Sequence, residues 1–155
     1  MSTSENPSAS APHPLLLICV SSASIILLVT GIAKIIDSTE VLSGLAEARI
    51  LPAWSHRPLA AILPWSEVVC GLLIAWPRWR AAGAVLTCVL GLGMAAYAGI
   101  AMAVGASARC GCAGDLLRGL AVPWSAHLLL CLWLCVCGFI IWYGARHSSR
   151  PMTVA

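Results

Sequence analysis

Four long apolar runs, separated by polar or broken stretches, dominate the pattern along the chain. The first, Leu15–Ile36, carries only small hydroxyl residues (Ser21, Ser22, Ser24, Thr30) before Lys34. Ser22-Ala23-Ser24 loosely imitates a signal-peptidase site, yet no cation precedes the run and the apolar character continues beyond it. An uncleaved transmembrane helix is expected. The second span is predicted over 59–76, interrupted by Pro64 and Glu67, the third over 81–104, and the fourth over 124–144. Each reaches the roughly 18–20 residues that a helix needs to cross a bilayer. Backbone polar groups cannot stay unpaired in lipid, so the four should form one helical bundle.

Between the first two spans, Asp37–Pro58 is the longest polar stretch inside the domain. Val41, Leu42, Leu45, Ala46 and Ile50 recur at helical spacing, with Glu40, Glu47 and Arg49 off that face. This predicts a short amphipathic helix lying on the membrane and stopped by Pro52, with Trp54 as an interfacial anchor. Trp76-Pro77-Arg78-Trp79-Arg80 reads as a tight turn at headgroup level. In the third span Gly83, Thr87, Gly91, Ala95, Gly99 and Ala103 repeat every four residues, a small-residue stripe that lets another backbone approach. The fold class is therefore all-α, an integral membrane four-helix bundle with one interfacial helix. Residues 1–14 form a polar tail, 15–144 the transmembrane domain and 145–155 a basic tail.

Composition agrees with lipid as the solvent. The 155 residues are 60 % hydrophobic and 10 % charged, with a mean hydropathy of +0.91, against about 25 % charge in soluble domains. A net charge of +3 with no basic stripe excludes nucleic acid as a partner. No phosphate loop, metalloprotease helix or nucleophile elbow occurs.

Chemistry concentrates in Arg109-Cys110-Gly111-Cys112-Ala113-Gly114-Asp115, a short polar break between spans three and four. Gly111 frees the backbone to bring the sulfurs of Cys110 and Cys112 together. A small strained disulfide in such a loop is readily reduced, and Arg109 favours a thiolate. The competing reading is two small loop residues without chemistry. The other six cysteines lie in the spans and read as small hydrophobes. Cys135 and Cys137, two apart on a helix, point about 200° away from each other and do not repeat the loop pair. Zinc lacks a ligand set: only Asp115 and His127 lie near the loop, so no metal site is expected. Lys34 and Glu67 are costly in lipid unless paired, and antiparallel packing of spans one and two would bring them together, although Lys34 alone is long enough to snorkel.

Arginine counts on the two sides nearly balance: Arg78, Arg80, Arg146 and Arg150 against Arg49, Arg57, Arg109 and Arg118, with Lys34. The shortest loop carries the most weight, so Arg78 and Arg80 favour cytoplasmic termini. Cys110 and Cys112 are then extracytoplasmic, where disulfides persist.

Thr30-Gly31-Ile32-Ala33-Lys34, Leu63-Pro64-Trp65-Ser66-Glu67 with Gly71-Leu72-Leu73, and Cys110-Gly111-Cys112-Ala113-Gly114 occur in the order and spacing of the methylamine-utilisation MauE family. The chain resembles that family, itself similar to DoxX-like four-helix membrane proteins, over about 15–144. Ala113 departs from the aromatic expected there. The resemblance implies a bacterial plasma-membrane protein assisting maturation of a disulfide-rich methylamine dehydrogenase subunit. On this expectation Cys110 and Cys112 exchange disulfides, supported by Arg109, Gly111, Gly114, Lys34 and Glu67. The partner is an extracytoplasmic client or a thioredoxin-like protein. No cofactor is required by the sequence; electrons pass through a soluble thioredoxin-like partner or a membrane quinone, the latter needing an apolar cleft with a polar contact from Lys34 or Glu67, and the lack of a Cys-x-x-Cys pair counts against an autonomous quinone-coupled oxidase. The alternative is a non-enzymatic assembly or transport subunit whose cysteine loop docks a partner.

Overall fold

The computed structural model of the protein describes residues 14–105 and 123–148. Among them are five helices: α1 (Pro14–Ile36), α2 (Thr39–Ala48), α3 (Ala53–Ala75), α4 (Arg80–Ala103) and α5 (Trp124–Ser148). All but α2 are long and apolar enough to cross a membrane. The protein is thus an all-helical bundle of four spans with one short extra helix. The spans alternate in direction. Pro14, the Trp76–Trp79 turn and Ser148 lie at one end of the bundle; α2, Gly105 and Pro123 lie at the other.

Two helix pairs make the bundle. α4 packs along α5 over the most extensive interface, α1 packs along α3, and further contacts join α3 to α4 and α1 to α5. The central cluster takes Cys19, Ala23 and Leu27 from α1, Cys70 and Ile74 from α3, Ala84 from α4, and Leu134, Cys137 and Ile141 from α5. The lipid-facing positions are large hydrophobics such as Ile25, Val89 and Phe139. Such a bundle is held by close packing and interhelical hydrogen bonds, because lipid offers no hydrophobic drive.

The start of α3 differs from the sequence expectation. The helix begins at Ala53, six residues before the predicted Leu59, and runs through Pro58 and Pro64. Ser55 N–H and Oγ both donate to Pro52 O, at 2.9 and 2.8 Å, which closes the first turn ahead of Pro58. Proline removes one backbone donor, a loss that a helix in a bundle tolerates. α2 also ends sooner than Pro52 suggests. Arg49 adopts the left-handed conformation (φ 50°, ψ 23°) and caps it three residues earlier. α2 is tied down by Tyr97, whose hydroxyl donates to Gly44 O at 3.4 Å.

The four-residue stripe on α4 holds only in part. Gly83, Thr87, Gly91 and Ala95 are buried, but the buried face then moves to Ala98 and Ala101, and an added Cβ at Gly99 would meet nothing. A repeat of four drifts about 40° per step against the 3.6-residue turn, so Gly99 and Ala103 rotate out of the interface.

Candidate functional site: a buried ionic centre

Gly31 sets up the centre. A Cβ there would lie 2.8 Å from Val68 Cγ2, 2.9 Å from Pro64 O and 3.1 Å from Glu67 Cβ. Only glycine admits α3 this closely. Two turns away Ser24 Oγ donates to Gly71 O at 2.9 Å, and a Cβ on Gly71 would press on Leu28 at 2.9 Å. The Thr30–Lys34 and Leu63–Glu67 motifs, with Gly71, are therefore the two sides of one interhelical contact.

That contact joins Lys34 to Glu67. Lys34 Nζ donates to Glu67 Oε1, and the residues are 2 % and 5 % exposed. Lys34 does not snorkel to an interface; it is spent on an ion pair inside the bundle. Glu67 lies well within α3, which begins at Ala53. Thr30 lies beside the Glu67 carboxylate, but its hydroxyl proton goes to Ile26 O at 2.8 Å. Glu67 Oε2 is left without a donor among the described residues.

α5 places two further polar side chains in the same part of the bundle, which residue patterns undervalued. His127, 5 % exposed, reaches Cys131 Sγ with Nε2 at 3.5 Å, an i to i+4 contact along one helix face. Both side chains lie within electrostatic reach of Lys34. His127 falls in the first turn of a hydrophobic helix, and its one sequence signal was that a polar ring there must find partners. No group of three or more metal-binding side chains suited to an ion occurs among the described residues.

The six intramembrane cysteines are free. Cys19, Cys70, Cys131 and Cys137 are buried; Cys88 and Cys135 are half-buried at the α4–α5 contact. Arg109, Cys110, Gly111, Cys112 and Gly114 lie outside the described residues. The flanking Gly105 and Pro123 lie at the bundle end that carries α2.

These features define a multi-pass helical membrane protein whose spans are locked by small-residue contacts and a buried ion pair. The family model described as methylamine utilisation protein MauE matches residues 12–144, and the chain belongs to that family. No curated protein and no solved structure gives a significant match.

Proposed function

We propose that the protein is a membrane thiol–disulfide exchange factor assisting maturation of an extracytoplasmic partner in methylamine utilisation, with Cys110 and Cys112 as its redox pair. The observation that carries this reading is the Cys110-Gly111-Cys112 sequence inside the region matched by the family model. In the oxidising direction a client thiolate attacks the loop disulfide and forms a mixed disulfide, releasing one loop thiolate. The client's second thiolate then displaces the other loop sulfur. The client gains a disulfide and the loop becomes a dithiol, so the balance closes without a further reactant. Arg109 stabilises the thiolate leaving group. Lys34 and Glu67 hold α1 against α3 and so support the frame from which the loop is strung. The reading assigns the bacterial plasma membrane, cytoplasmic termini, and an oxidising compartment for Cys110 and Cys112. A disulfide-rich methylamine dehydrogenase subunit, or a thioredoxin-like carrier serving it, is the client that the family suggests.

The test is maturation of the client in cells carrying Cys110→Ser, Cys112→Ser or both, with free thiols trapped by alkylation before lysis. Each single variant is expected to abolish maturation, and one of them to accumulate a mixed disulfide. Normal maturation in the double variant overturns the thiol mechanism and leaves a docking subunit in its place.

A further inference from the structure

We draw no further inference here: the strongest candidate, the apolar cavity of about 540 Å³ between α2, α3 and α4, has neither Lys34 nor Glu67 among its lining residues, and nothing in the structure shows what fills it.

Discussion

Cys88 and Cys135 exchange hydrogen bonds across the α4–α5 interface. Cys88 Sγ donates to Cys135 O at 3.5 Å, and Cys135 Sγ donates to Cys88 O at 3.8 Å. Each sulfur fills the space above a glycine of the other helix: Cys135 over Gly91 and Cys88 over Gly138. The two helices carry the same Cys-x-x-Gly spacing, and antiparallel packing lets each supply the knob and the hole. A Cβ on Gly138 would lie 2.6 Å from Cys88 Sγ and 3.0 Å from Ala84 O; one on Gly91 would lie 2.8 Å from Cys135 Sγ and 3.2 Å from Cys131 O. Gly138→Ala is expected to destabilise the bundle by about 1–3 kcal/mol, the usual cost of overpacking, and Gly91→Ala by less. Gly93→Ala serves as the neutral control. Cys88→Ser and Cys135→Ser keep a donor and should cost little. Unfolding in mixed micelles reads these effects, and equal stability of Gly138→Ala and Gly93→Ala would contradict the interlock.

The Lys34–Glu67 pair predicts strong non-additivity. Lys34→Met or Glu67→Leu alone leaves an uncompensated buried charge and should cost about 3–5 kcal/mol. The double variant removes both charges and should cost less than either single change. An additive double-mutant cycle in the same unfolding assay would mean that the two groups do not share one interaction.

Arg49 holds a conformation that glycine adopts without strain. Arg49→Gly should therefore leave stability unchanged or raise it by up to about 1 kcal/mol. Arg49→Val, whose branched side chain resists positive φ, should lower it. A thermal melt in detergent distinguishes the two, and a lower melting temperature for Arg49→Gly than for Arg49→Val would contradict a capping role.

Reporter fusions check sidedness. The Trp76–Trp79 turn and the Gly105 and Pro123 ends lie at opposite ends of the bundle. Fusions after Pro77 and after Gly114 should therefore report opposite compartments, the first cytoplasmic. A cytoplasmic signal after Gly114 would remove the extracytoplasmic thiol mechanism.

Hydropathy and length were enough to determine the four spans, because the demand of lipid for internally bonded helices leaves little freedom. The charge of Lys34 and Glu67 in apolar runs was enough to demand partners. The sequence also carried the Gly31, Glu67 and Gly71 motifs, though as separate strings. Local rules failed where a neighbour intervened. Pro58 read as a boundary, yet α3 continues through it with its first turn closed on Pro52. Only the tertiary structure decided that Gly31 faces Pro64 and Glu67, that Lys34 meets Glu67 inside the bundle, and that Cys88 and Cys135 each sit over the other helix's glycine. It alone showed a cavity bounded by Tyr97 and Trp124 rather than by the ion pair. Helical periodicity fixes which residues share a face, but not the rotation and axial offset at which two faces meet. Those are set by close contacts summed over the whole interface, and one chain read in order does not contain that sum.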